Sequence, residues 1–191
     1  MMQDEPVIIT SVVTRVLEKL KVSYFITGSI ASTLYGMVRS TQDSDIVAEL
    51  LPEHIQPFVE ALETDFYVDE AMIADSISRH SSCNIIHRES MFKVDIFIPR
   101  ERVFLQKQYS RAKKELLSRD PKIEAMVASA EDVLLSKLEW YRMGGEVSDR
   151  QWRDVLGVLK VQAGALDLDY LRQMALELEV TDLLERALKE A

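Results

Sequence analysis

Two aspartates one residue apart, Asp43 and Asp45, open the apolar run Ile46–Ala48, and a third, Asp95, lies inside Lys93-Val94-Asp95-Ile96-Phe97-Ile98. Both stretches read as strands. Strand side chains alternate between faces, so Asp43 and Asp45 share one face, with Cα atoms roughly 6.5–7 Å apart. Ser44 and Ile46 then point to the opposite face, into a core. In the later run, Lys93 and Asp95 share a face, and Val94, Ile96 and Ile98 share the other. If the two strands are neighbours, three carboxylates converge at one edge of a sheet. Such a group repels itself unless a cation lies within it. Magnesium suits the place, because it takes oxygen ligands and keeps substrate phosphates in its shell. Two such ions about 3.5–4 Å apart clamp the attacking and leaving oxygens of an in-line displacement. Asp and Ser also favour turns, and Asp95 on an edge strand would simply face solvent. Against that, Asp is depleted in strands, and all three acids lie inside or against apolar β runs.

A second feature precedes the first. The run Tyr24–Ile26 leads into Thr27-Gly28-Ser29, and a short helical pattern follows to Tyr35, with Gly36 as its stop. Ser29 suits the N-cap of residues 30–35. A helix N-terminus with free N–H groups also receives anions. No GxxxxGK[ST] loop occurs in the chain. A cation completes the set of candidates. Lys137 lies four residues after Val133, three after Leu134 and four before Tyr141, on an apolar helical stripe. Either its stem snorkels to water past Leu138, or its amine meets an anion or reaches a cleft. His54, His80 and His87 are scattered and show no zinc spacing.

The elements that must position these residues alternate and then change character. Ile9, Val12, Val13, Val16, Leu17 and Leu20 predict an amphipathic helix over 7–20. Strands are expected at 23–27, 43–50, 82–87, 91–98 and 123–128. Helices are expected from Pro52 to about Leu62 and over 70–79. From Ser129 the pattern is helical only. Ser129-Ala-Glu-Asp132 and Ser148-Asp-Arg-Gln151 resemble capping boxes. They open helices to about Met143, stopped by Gly144-Gly145, and to about Val161. Two more helices are expected at 167–178 and 181–190. The expected class is α/β (α+β): a mixed, mostly antiparallel sheet with helices on one face over residues 1–128, then a helical bundle over 129–191 packed on it.

Bulk composition narrows the function classes. The chain has 191 residues, 47% apolar and 29% charged, with one cysteine, Cys83, so no intrachain disulfide forms. No apolar run approaches the roughly 20 residues that span a bilayer, and MMQDEP lacks the basic start of a signal peptide. A cytoplasmic protein without membrane contact is the expectation. The net charge of −9 argues against a broad electrostatic grip on nucleic acid. Residues 100–122 are locally basic, either as a charge-paired solvated face or as a rim that receives a triphosphate or an RNA end.

The spacing Gly28-Ser29, Ala31, Gly36, Arg39, Thr41, Asp43, Asp45 resembles bacterial minimal nucleotidyltransferase-like families related to the AbiEii-type toxins. These belong to the nucleotidyltransferase superfamily of DNA polymerase β-like fold. Ser129-Ala-Glu131-Asp132 through Lys137-Leu138 resembles their EDLxxxKL helix start, and Asp154 the acid one helix later. The resemblance spans residues 7–160. It implies magnesium, as a two-ion site with manganese as the alternative, held by Asp43, Asp45 and Asp95. It implies a nucleoside triphosphate on Gly28 and Ser29, with Lys137 and Arg39 offsetting its charge. Asp132 reads as a cap, and Lys93 and Asp154 as residues standing behind the ligands. The implied reaction is transfer of a nucleoside monophosphate to an acceptor hydroxyl on RNA, protein or a small molecule. The alternative is a non-catalytic module that binds a nucleotide or a partner protein, as in a toxin–antitoxin pair.

Overall fold

A computed structural model describes residues 4–37 and 40–191. In chain order the elements are α1 (Asp4–Lys19), β1 (Tyr24–Thr27), α2 (Gly28–Tyr35) and β2 (Asp43–Ala48). A single 3-10 turn, Pro52–His54, leads into α3 (Ile55–Leu62), followed by β3 (Phe66–Tyr67), α4 (Glu70–Arg79), β4 (Ser82–His87) and β5 (Lys93–Phe97). Next come α5 (Val103–Arg111), β6 (Lys113–Arg119) and β7 (Lys122–Val127). The chain ends in α6 (Ala130–Met143), α7 (Asp149–Val161), α8 (Leu168–Glu177) and α9 (Thr181–Glu190).

The seven described strands form one sheet in the order β3-β4-β5-β2-β1-β7-β6. Only the pairs β1–β7 and β2–β5 are parallel; the other pairs are antiparallel. The sheet is therefore mixed and mostly antiparallel, as expected. Register sorts its residues into two faces. Ile26 pairs with Ile46 and Val127, and Ile46 with Ile96. Those residues, with Val94, Cys83 and Ile85, are buried. Packed here are α1, against β2 and β7, and α4, against β4, with α3 between the two helices. In α1 the buried Thr10, Ser11 and Thr14 donate their hydroxyl protons to carbonyls three or four residues back. Polar side chains thereby enter the core without unmade hydrogen bonds.

The other face carries Thr27, Asp43, Asp45, Lys93 and Asp95 at one end and Phe25, Val47 and Phe97 further along. Helices cover this face too, which corrects the one-face expectation. Tyr109 of α5 meets Phe25 edge-on at 5.0 Å between ring centroids, and Trp140 of α6 meets Phe97 at 5.9 Å. The cause is β1: its consecutive residues Phe25 and Ile26 point to opposite faces and are both fully buried. A central strand that is apolar on both sides requires cover on both.

The terminal helices build a second core from Leu134, Leu138, Trp152, Val155, Leu171, Met174 and Leu184, which also takes Phe104 from α5. Helix α6 belongs to both cores, since Val133 lies in the first and Leu134 in the second. Ser129 caps α6, accepting from the Asp132 N–H at 3.2 Å and donating to its carboxylate at 2.8 Å. Asp132 is fully buried and also accepts from the Tyr170 hydroxyl at 2.6 Å. Next to it, Glu131 accepts from the Asp167 N–H at 3.0 Å and pairs with Arg111 at 2.9 Å. Arg111 in turn stacks over the Tyr170 ring at 3.9 Å. The Glu-Asp of the EDLxxxKL stretch therefore tie α5, α6 and α8 together, and the cap of α6 is Ser129 rather than Asp132, whose carboxylate accepts from the Ser129 and Tyr170 hydroxyls.

Candidate active site

The site begins where β1 ends. Thr27 and Asp45 are register partners across the antiparallel pair β1–β2, so the Asp45 side chain rises beside the turn that leaves β1. The contact there is close enough to dictate the residue. Gly28 has φ of +60°, and a Cβ placed on it would fall 1.8 Å from Asp45 Oδ2. The next backbone N–H, of Ser29, donates to the same oxygen at 3.4 Å. Helix α2 starts at Gly28, with Thr27 as an N-cap whose side chain makes no capping bond. This corrects the expected cap at Ser29. That residue lies inside the first turn, where its N–H is taken by the Asp45 carboxylate.

Asp95 enters through the parallel pair β2–β5, directly beside Asp45, while Lys93 lies beside Asp43. Strands in register stand about 4.8 Å apart, so the three acids occupy adjacent positions on one face. Each has a local partner. The Thr41 hydroxyl donates to Asp43 Oδ1 at 2.9 Å and to the Asp43 carbonyl at 3.0 Å. Asp45 accepts from Ser29, and Lys93 Nζ lies 2.6 Å from Asp95 Oδ2. Among the described residues no three ligand-type side chains are already drawn around a common point. Burial, then the charge of Asp43 and more weakly that of Asp95, push the Asp45 carboxyl up to about 6. The Ser29 N–H and the Lys137 charge act in the opposite direction. A carboxylate held among like charges accepts a cation or a proton.

Lys137 is buried on α6, and its amine bonds Asp154 Oδ2 of α7 at 2.8 Å, with each side chain 10% exposed. The packing of α6 on α7 brings Asp154, the acid expected one helix later, to this amine. Arg39 lies outside the described residues. Asn84 was missed: it is the β4 register partner of Asp95 and stands on the same face. The alternation Ser82, Asn84, Ile86 against buried Cys83 and Ile85 was its signal. The basic stretch 100–122 divides between α5, β6 and the turn into β7. Its Arg102 pairs with Glu139, Arg111 with Glu131, and Lys114 and Lys122 with Glu124. Four of its eight cations are thus charge-paired, in keeping with the first of the two expectations for those four, on α5 and the β6–β7 pair rather than on one helix face.

The sequence matches no protein-family model and no curated protein. Solved structures do match. One is an antigenic nucleotidyltransferase-like protein from Paracoccidioides brasiliensis, 18% identical, with a TM-score of 0.57 over 99% of this chain and 94% of that one. The fold is nucleotidyltransferase-like. A second neighbour is the lincosamide antibiotic adenylyltransferase LnuA, lincomycin-bound, 18% identical, with a TM-score of 0.50 over 77% of this chain and 92% of that one. A third is the antibiotic-resistance factor ANT(2'')-Ia, 10% identical, with a TM-score of 0.55 over 97% of this chain and 98% of that one. The first and third overlaps take in nearly all of this chain, so the likeness includes the helices after residue 129. No helix among the described residues is long and apolar enough to cross a membrane.

Proposed function

We propose that the chain moves a nucleoside monophosphate from a nucleoside triphosphate to an acceptor hydroxyl, with magnesium held by Asp43, Asp45 and Asp95. The observation that carries this reading is the packing of Gly28 and the Ser29 N–H directly against Asp45 Oδ2. It sets a phosphate-receiving helix start against a carboxylate that burial and like charge prime for a cation. The donor set fits the metal, being all oxygen and hard. Bound magnesium supplies charge stabilisation at the phosphate oxygens. Asp43 and Asp45 would hold both ions. Asp95 completes the nucleophile side and orients the acceptor hydroxyl. Gly28 and Ser29, at the start of α2, would hold the β- and γ-phosphates. Lys137, and Arg39 in the same spacing, offset their charge. The acceptor oxygen bonds the α-phosphorus, the bond to the β-phosphate oxygen breaks, pyrophosphate leaves, and the hydroxyl proton passes to the Asp95 side. Asp154 orients Lys137 until the triphosphate arrives. The fold likeness to an adenylyltransferase supports this reaction class, with RNA, a protein or a small molecule as acceptor.

The test is incubation with labelled triphosphates, magnesium and candidate acceptors, with wild type transferring label. Absence of transfer and of any magnesium-dependent thermal shift with all four triphosphates would overturn the proposal. The local pairing of each carboxylate favours a second reading, a nucleotidyltransferase-fold module that binds a nucleotide or a partner protein, as in a toxin–antitoxin pair. A stable complex with such a partner, without transfer, would favour it.

Two further outcomes are expected. Burial and the charge of Asp43 push the Asp45 carboxyl up to about 6, so a proton and a cation compete for it. Apparent affinity for manganese should hold above pH 7 and fall by up to about tenfold per unit once the pH drops below that value, as calorimetry will read. Lys137→Met removes one partner of Asp154 and a positive charge that acts on Asp45. It should raise the KM for the triphosphate by at least about tenfold and cost about 1.5–3 kcal/mol of stability, the worth of a hydrogen bond to a charged group. An unchanged KM would leave Lys137 a structural lysine.

A further inference from the structure

We propose that Lys93 is a built-in counter-cation that occupies Asp95 in the metal-free protein and must be displaced before Asp95 serves a metal. The proposal rests on the nucleotidyltransferase reading and adds a positioning residue to it.

The two residues are two apart on β5 and therefore project from the same face. Lys93 Nζ lies 2.6 Å from Asp95 Oδ2, a charge-assisted contact. Register places Lys93 directly beside Asp43, and Asp95 beside Asp45, so the ammonium stands at the outer corner of the carboxylate group. A divalent cation and an ammonium repel, so the two compete for Asp95 Oδ2, the oxygen that the ammonium holds. The pair differs from the other carboxylate contacts at the site. Asp43 and Asp45 are held by a neutral hydroxyl and a neutral N–H, which leave their charge in place. Asp95 alone of the three is met by a full positive charge at salt-bridge distance among the described residues.

Lys93 is also built to leave. Its side chain is 42% exposed, against 18% for Asp95, so the stem has solvent to swing into while the carboxylate stays. An ammonium on a four-carbon stem releases one oxygen and takes another without a fixed fork geometry. A triphosphate arriving at Gly28 brings phosphate oxygens that compete for that ammonium. Its departure frees Asp95 when the acceptor-side cation is needed. The first cation therefore binds on Asp43 and Asp45, and the second is coupled to the triphosphate.

The test is manganese titration by calorimetry, without nucleotide, of wild type and of the Lys93→Met, Asp95→Asn, Asp45→Asn and Lys93→Met/Asp95→Asn variants, with circular dichroism to confirm folding. Lys93→Met is expected to tighten manganese binding about fivefold, the upper range for a partly exposed ion pair. In the Asp95→Asn background the same substitution is expected to change nothing, because the oxygen it guards is gone. Equal tightening in both backgrounds would mean a general field effect and overturn the proposal, as would no tightening in either. If Asp45→Asn abolishes manganese binding while Lys93→Met leaves it unchanged, the role of Lys93 falls and the metal site stands. If Asp45→Asn leaves binding unaltered, the nucleotidyltransferase reading falls and takes this proposal with it.

Discussion

Asp45→Asn is expected to lower label transfer by at least about a thousandfold and, at the same time, to make the metal-free protein more stable. The first effect follows from position. Asp45 is the middle carboxylate, register partner of Asp95 and two residues from Asp43. A residue behind a metal ligand typically costs roughly 10–100-fold when lost, and a ligand shared by both ions costs more. The second effect follows from the sign of its titration. Burial and the charge of Asp43 raise the folded carboxyl to about 6, above its unfolded value. Its contribution to stability is complete below the unfolded pKa and is lost as the pH rises through about 6. At pH 7.5 the ionised group is a burden that asparagine lacks. Asp45→Asn should then melt about 2–4 °C higher than wild type in chelator, equivalent to ~1 kcal/mol for a chain of this size. The gap should close as the pH falls through the titration. Magnesium should raise the melting temperature of wild type only. A variant less stable than wild type at pH 7.5 would make Asp45 a structural carboxylate and remove the basis of the metal site.

Much of this arrangement was legible in the chain because its signals are local. Asp43-Ser44-Asp45 and Lys93-Val94-Asp95 alternate with period two, and the structure buries Ser44, Ile46, Val94 and Ile96 as that period requires. The helix starts at Ser129 and Ser148 carry their own capping chemistry, and both cap as read. What failed to show depends on partners far away in sequence. Lys113–Arg119 is an edge strand, rich in charge, and reads as a solvated helix face until β7 pairs with it. Helix α5 lacks a side-chain cap, and its buried residues Phe104, Leu105 and Gln108 divide between two cores and a bond to Ser136. Phe66–Tyr67 is too short to carry any period. Thr41 was part of the recognised spacing without a role, and only the folded turn shows its hydroxyl holding Asp43. That Lys93 and Asp95 share a face was readable; that the amine closes on the carboxylate was not.

Gly28→Ala is expected to damage the site by adding a single methyl group. Two costs add. Alanine at φ of +60° pays about 1–2 kcal/mol for the left-handed conformation. The new methyl would also lie 1.8 Å from Oδ2, 2.5 Å from Cγ and 2.8 Å from Cβ of Asp45. Rotation about χ1 moves the oxygen and Cγ but not Cβ, which is fixed to β2 by its pairing with β1 and β5. Relief requires the strand or the start of α2 to shift, an overpacking strain of about 1–3 kcal/mol. The total expected loss by chemical denaturation is about 2–5 kcal/mol, together with loss of manganese binding, since the methyl takes the place of Asp45 Oδ2 and turns that carboxylate away from Asp43 and Asp95. A second substitution separates the causes. Asp45→Gly in the Gly28→Ala background removes every atom that the methyl would strike, so it should recover the strain component of stability while manganese binding stays lost. The coupling energy of the cycle measures that strain directly. Gly28→Ala with wild-type stability and wild-type manganese affinity would show that the turn and the carboxylate do not touch as described. The start of α2 would then lose its link to the proposed metal site.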